Sequence, residues 1–173
     1  MVLAVTHVLT AIILVDLYRD YVTKNKKHFT LHTILFAGIG GLLPDIDVPV
    51  NWLLALLGPV PDFMQHGGIT HTPFFAVLLA IPGLWLLRRG KPRQANYFFV
   101  LGFGAMVHLA LDLALGGGAY EGIMLFFPFS TLSFKIHLLG YLQMPDIPEG
   151  IDAVILLAWL WHEEAKHKIS DFI

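Results

Sequence analysis

Residues 94–115 read QANYFFVLGFGAMVHLALDLAL, an apolar run that carries one acid, Asp112, and one imidazole, His108. A helix needs about 20 such residues to cross a bilayer, and this run supplies them. His108 and Asp112 are four residues apart, so on a helix their side chains share one face, one turn from each other. An aspartate in a membrane core costs at least about 2.5–3.5 kcal/mol, so it ordinarily faces a site or a partner. The segment therefore reads as a membrane helix that offers an imidazole and a carboxylate to a common centre. The plainer alternative is a structural His–Asp pair.

The whole chain has the same character. Hydrophobic residues make up 56% and charged residues 14% of 173 positions, with a mean hydropathy of +0.68. A water-exposed domain carries roughly 25% charged residues. Charges this sparse suit an outer surface that faces lipid. The length fits one domain, residues 1–173. There is no cysteine, which excludes disulfides and thiolate-bound zinc. Any metal must then be held by imidazole and carboxylate, a set suited to Zn, Mn, Fe, Ni or Co. The formal net charge of −2 gives no electrostatic footprint for nucleic acid. The N-terminal apolar stretch lacks a basic leader, contains His7 and ends in Asp16, so it is not expected to be a cleaved signal peptide.

The pattern predicts an all-α membrane bundle. Helices are expected over about Val2–Tyr18, Leu31–Leu43, Pro73–Leu87, Gln94–Leu115 and Ile151–Lys168, the last lying at the periphery within 151–173. Pro44 is expected to stop the second helix, since it lacks a donor and fixes φ. The glycines at 38, 40 and 41 permit neighbouring helices to approach closely. Residues 120–143, broken by Pro128, read as irregular or re-entrant. Three or four spans are expected, with the shorter segments lying in the interface.

Several ionisable groups punctuate this apolar chain: His7, Asp45 and Asp47, His66 and His71, His108 and Asp112, and Glu121. If 45–47 is extended, both of its carboxylates point to one side. Around Gly67 and Gly68 the backbone can fold tightly between two imidazoles. Connectivity supports a shared centre. The expected helices run alternately between the candidate groups and two basic stretches, 19–28 and 88–93. The third covers about 25 Å at 1.5 Å per residue. In an antiparallel bundle all seven candidates other than Glu121 then meet in one layer. They exceed what a single tetrahedral zinc needs, so two or three ions are expected. His162 to His167 looks like a zincin motif, but its histidines are five apart and diverge on a helix, so this stretch reads as a solvated end.

The boxes Thr6-His7, Leu43-Pro44-Asp45-Ile46-Asp47, His66-Gly-Gly-Ile-Thr70-His71 and Gly104-Ala-Met-Val-His108-Leu-Ala-Leu-Asp112, with Gly122–Phe129 and Ser130 closing, resemble the YdjM-like family of membrane-bound, metal-dependent hydrolases. The resemblance covers roughly residues 1–135. The family is distantly similar to zinc-dependent phospholipase C and single-strand nucleases, which implies a phosphoester substrate, one carried by a membrane lipid included. Two departures stand out: Gly67 replaces an arginine of the family's pattern, and Val107 replaces a serine.

The expected function is therefore metal-dependent hydrolysis in the cytoplasmic membrane, with two or three Zn (or Mn or Fe) and a metal-activated water. His7, Asp45, Asp47, His66, His71, His108 and Asp112 are the candidate ligands. Asp45 or Asp47 is the candidate base, and Thr70 would orient a histidine or the substrate. With both basic loops inside, the site faces outward. A transporter or proton relay is the rival reading, in which the groups would spread through the membrane depth. A metal-stapled scaffold without catalysis is a third.

Overall fold

The computed structural model describes residues 4–23, 28–115, 122–136, 138–141 and 150–168. The elements are α1 (Ala4–Leu17), running on through a π turn (Tyr18–Thr23), then α2 (Leu31–Leu42), α3 (Asp47–Ala55), α4 (Pro73–Arg88), α5 (Pro92–Leu115), the single turn α6 (Leu138–Tyr141) and α7 (Ile151–His167). Strand pairing among the described residues is limited to one isolated bridge, Ile123 with Phe134.

Local chemistry accounts for the starts of two helices. At α2, the Thr30 N–H donates to Thr33 Oγ1 at 3.2 Å, half of a capping box. At α4, Phe75 N–H donates to the Thr72 hydroxyl at 3.1 Å, and Pro73 occupies the first helical position, where its missing donor is harmless.

The expected stop at Pro44 does not occur. A 3-10 turn over Leu43–Ile46 joins α2 directly to α3, so Leu31–Ala55 is one continuous helical rod of 25 residues. Pro44 falls in the first turn of that 3-10 segment, where its lack of an N–H matters little. Asp45 and Asp47 accordingly lie on a helical segment and not on an extended one.

Leu31–Ala55 and Pro92–Leu115 are long and apolar enough to cross a membrane, while Pro73–Arg88 is apolar but shorter. Large side chains such as Leu31, Trp52, Leu57 and Trp161 stand outward, an apolar exterior that suits lipid. The core is built by α1, α2 and α5 around Val15, Ile34, Ala37 and Val100. Backbone contact sets the crossing of α2 and α5: a Cβ on Gly40 would lie 2.2 Å from the Leu101 carbonyl oxygen, and one on Gly104 2.2 Å from that of Ala37. The small-residue stretch thus acts as the sequence suggests, letting the rods touch main chain to main chain. At the other end Asn96 donates to the His28 carbonyl at 3.3 Å, which ties the start of α5 to the turn before α2. His28 and Asn96, which flank the two basic stretches, therefore lie together, at the end of the helices away from His71 and His108. Arg19 is not a free cation of that end. It is buried and paired with Asp16 at 2.6 Å.

Candidate metal centre

Four segments deliver the site. His7 comes from the first turn of α1, Asp45 and Asp47 from the α2–α3 junction, His66 and His71 from the loop before α4, and His108 with Asp112 from α5. His7, His71 and His108 are essentially inaccessible, and Asp47 and Asp112 nearly so.

His108 is the best-defined group. Its Nδ1 lies 2.7 Å from the Gly41 carbonyl oxygen. A carbonyl can only accept, so Nδ1 carries the proton, and in the neutral ring Nε2 bears the lone pair. That Nε2 faces Asp112 Oδ2 at 3.1 Å, His71 Nε2 at 3.2 Å and Asp45 Oδ1 at 3.6 Å. A lone pair among carboxylate oxygens is repulsive unless a positive charge sits between them.

The remaining distances tell the same story. Two donors each 2.0–2.1 Å from a common ion at a tetrahedral angle lie about 3.3 Å apart. His7 Nε2 is 3.2 Å from Asp112 Oδ1, and His71 Nε2 is 3.5 Å from Asp112 Oδ2 and 3.7 Å from Asp45 Oδ1. The longer of these exceed hydrogen-bond range. Both ring nitrogens of His7 and Asp112 Oδ2 are buried and make no hydrogen bond. His7 stacks on His108, with ring centroids 3.9 Å apart.

Three donor groups emerge: His7–Asp45–His108, Asp45–His66–His71 and His71–His108–Asp112. Each of Asp45, His71 and His108 belongs to two of them, so the groups form one continuous cluster able to hold metal ions. Burial by itself would lower the His71 pKa, but the carboxylates of Asp45 and Asp47, with the charge of Asp112, outweigh it and push the ring up to about 9. The surroundings demand positive charge at that imidazole, as a proton or as a metal.

Asp47 behaves differently from the six residues in these groups. Its Oδ2 accepts from the Thr70 hydroxyl at 3.2 Å and lies 3.3 Å from His71 Nδ1, while its Oδ1 is 3.3 Å from His66 Nδ1. It grips the far edge of His71, whose Nε2 faces the donor cluster. Asp47 and Thr70 therefore orient histidines. The two carboxylates of the Asp-Ile-Asp box take opposite edges of one imidazole, a division that spacing alone does not reveal.

Gly67 is buried with φ of 88°, in the region that favours glycine. Its carbonyl accepts from Met124 N–H at 2.8 Å, so the closing box folds onto the second histidine box. Val107 is also buried beside His108. A cavity of about 320 Å³ opens beside the donors, lined by Ala4, His7, Leu42, Asp45, Val48, Pro49, His66 and Asp112. Glu121 lies outside the described residues.

Compared with known families, the chain matches the model of the YdjM inner membrane protein family over residues 1–167. It belongs to that family. The match places this YdjM-family chain in the inner membrane and runs past residue 135, through α7. No curated protein and no solved structure matches it.

The C-terminal stretch requires a correction. Residues 162–167 are not a solvated end: Glu163 is buried, and His167 Nε2 lies 2.6 Å from Asp20 Oδ2. Thr6 donates to Asp152 at 2.6 Å, so α7 is fastened to α1 near both of its ends. The partners sit far away along the chain, which is why spacing within the motif could not reveal them.

Proposed function

We propose that this YdjM-family protein is a membrane-embedded, metal-dependent hydrolase of phosphoesters, with lipid-linked phosphoesters as its substrates. The observation that carries the reading is the fixed tautomer of His108, which turns an imidazole lone pair towards Asp45, Asp112 and His71. His7, Asp45, His66, His71, His108 and Asp112 are the proposed ligands, and their overlap through Asp45, His71 and His108 favours two ions, with zinc or manganese suited to the donors. When bound, such ions supply Lewis acidity to a phosphoryl oxygen and acidify water.

The chain's own residues divide the remaining work. Asp45 lines the cavity and is 22% exposed at its side chain, so it is the carboxylate placed to take a proton from water. Asp47 and Thr70 hold His66 and His71 in place. The cavity lining includes Ala4, Leu42, Val48 and Pro49 and, among the described residues, has no lysine or arginine. It would receive the apolar part of a lipid and leave the phosphate to the ions. The backbone conformation at Gly67 is one an arginine would strain, consistent with a phosphate held without that side chain. Donor atoms gathered within a few ångströms favour hydrolysis over a relay, whose groups would follow the membrane depth.

The test is elemental analysis and turnover of detergent-purified protein with a phospholipid in mixed micelles and a soluble phosphodiester. The wild type should carry about two equivalents of metal more than Asp45→Ala. Asp45→Ala should lose metal and turnover yet remain helical. A folded wild type that binds no transition metal would sink the hydrolase reading. Metal loss that unfolds the chain, with no turnover in the loaded protein, would instead support the scaffold.

A further inference from the structure

A second set of metal-donor side chains meets where α7 docks on the end of α1, apart from the centre just described. Asp16 and Asp20 come from α1 and its π turn, and His162, Glu163 and His167 from the last turns of α7. Asp16, His162 and Glu163 each offer a ligand atom within 4.8 Å of the others, as do Asp20, Glu163 and His167.

The charges do not balance. Asp16, Asp20 and Glu163 bring three carboxylates to a buried place. The fixed cation among them is Arg19, 2.6 Å from Asp16 Oδ1 and 2.9 Å from Asp20 Oδ1. Three carboxyl groups thus share one fixed cation among the described residues, a deficit that a bound cation would relieve. Burial and the facing Asp16 carboxyl push the Glu163 carboxyl up to about 7, with Arg19 opposing.

Arg19 and His167 attend to Asp20: Arg19 Nε holds one carboxylate oxygen and His167 Nε2 the other. Asp16 and Glu163 are left facing each other. Asp16 Oδ1 is fully buried and makes no hydrogen bond, its approach to Arg19 being an ion-pair contact without hydrogen-bond geometry. Its other oxygen accepts from Trp159 Nε1 at 3.1 Å. His162 stands ready as a third donor. Its Nε2 lies 3.2 Å from the Tyr21 hydroxyl, which can accept a proton there and leave Nδ1 with the lone pair. Nδ1 in turn is 3.2 Å from Glu163 Oε1, close to the roughly 3.3 Å separation of two ligands on one tetrahedral ion.

We propose that Asp16, His162 and Glu163 form a second divalent-cation site, a structural one that fastens α7 to α1. The absence of cysteine and the mixture of two carboxylates with one imidazole suit zinc, manganese or cobalt. The site is independent of the hydrolytic reading.

Co²⁺ is a suitable probe because a paramagnetic ion on Asp16 would quench the emission of adjacent Trp159. Co²⁺ is titrated into the full-length, metal-stripped protein in detergent while tryptophan emission is followed. The expected result is a quenching step that disappears in Trp159→Phe, survives in Asp45→Ala, and needs at least tenfold more Co²⁺ in Glu163→Gln. His162→Ala should repeat the Glu163→Gln result, and it serves if Glu163→Gln does not fold. A wild type without this step, or one whose step is unmoved in the folded variants, would overturn the proposal and leave the cluster held by protons alone. Loss of the step in Asp45→Ala would place the quenching ion at the first centre and overturn it equally.

Discussion

The two His–carboxylate clusters share α1 yet are built in different ways. The first draws His7 from the start of α1, and its other donors come from the α2–α3 junction, the loop before α4, and α5. Its geometry depends on how closely α2 and α5 cross, because the Gly41 carbonyl sets the tautomer of His108. The second draws on the end of α1 and on α7 alone, and a buried arginine already sits among its carboxylates. The first opens on a cavity whose lining, among the described residues, holds no lysine or arginine. On the proposed reading, a cluster that binds and turns over a substrate would keep its positive charge exchangeable and its mouth open. A cluster proposed to hold helices together would supply part of its charge from the chain itself.

Three substitutions probe this contrast. The largest effect is expected at Arg19→Met. It would strip the fixed cation from Asp16 and Asp20, both buried, and breaking such a buried pair costs about 3–5 kcal/mol. Thermal unfolding in detergent should show that loss, while metal content at the first centre of the folded fraction stays unchanged. If unfolding barely moves, the arginine is not what balances the second cluster.

Next comes Gly104→Val. Its Cβ would stand 2.2 Å from the Ala37 carbonyl oxygen and 2.7 Å from Gly41 N, so the helices must separate, at about 3 kcal/mol. The separation should pull the Gly41 carbonyl from His108 and lower metal retention at the first centre. Trp159 quenching by Co²⁺ should persist. Metal content equal to wild type would show that the crossing does not position the site.

The smallest effect is expected at Asp47→Asn. It keeps shape and removes the charge that orients His66 and His71, a change worth about 10–100-fold in metal affinity. Competition with a chelator would measure it. A complete loss of metal would make Asp47 a direct ligand instead of a positioning residue.

Much of the first centre was legible in the sequence, for definite reasons. An i, i+4 His–Asp pair inside an apolar helix has one face to share, and the cost of an aspartate in lipid makes an idle placement uneconomical. The alternation of basic stretches with candidate donors suggested one shared layer for the rest, and His7, Asp45, His66, His71, His108 and Asp112 do lie close enough together to form overlapping donor groups. Other features were hidden. Pro44 reads as a stop, yet a proline at the start of a 3-10 turn continues the rod, so Asp45 and Asp47 take opposite edges of His71. The carbonyl that selects the His108 tautomer belongs to a glycine with no side chain to announce it.

Composition and periodicity by themselves determined that this chain is helical, that it belongs in a membrane, and which histidines and aspartates are too expensive to be incidental. Those properties are local: each follows from the transfer energy of one residue or the turn angle of one helix. The tertiary structure alone decided which nitrogen of each imidazole faces the centre, that Asp47 orients while Asp45 lines the cavity, and that the C-terminal acids meet Asp16 and Asp20. Those depend on contacts between residues remote in sequence, made only where the fold brings separate helices and loops together.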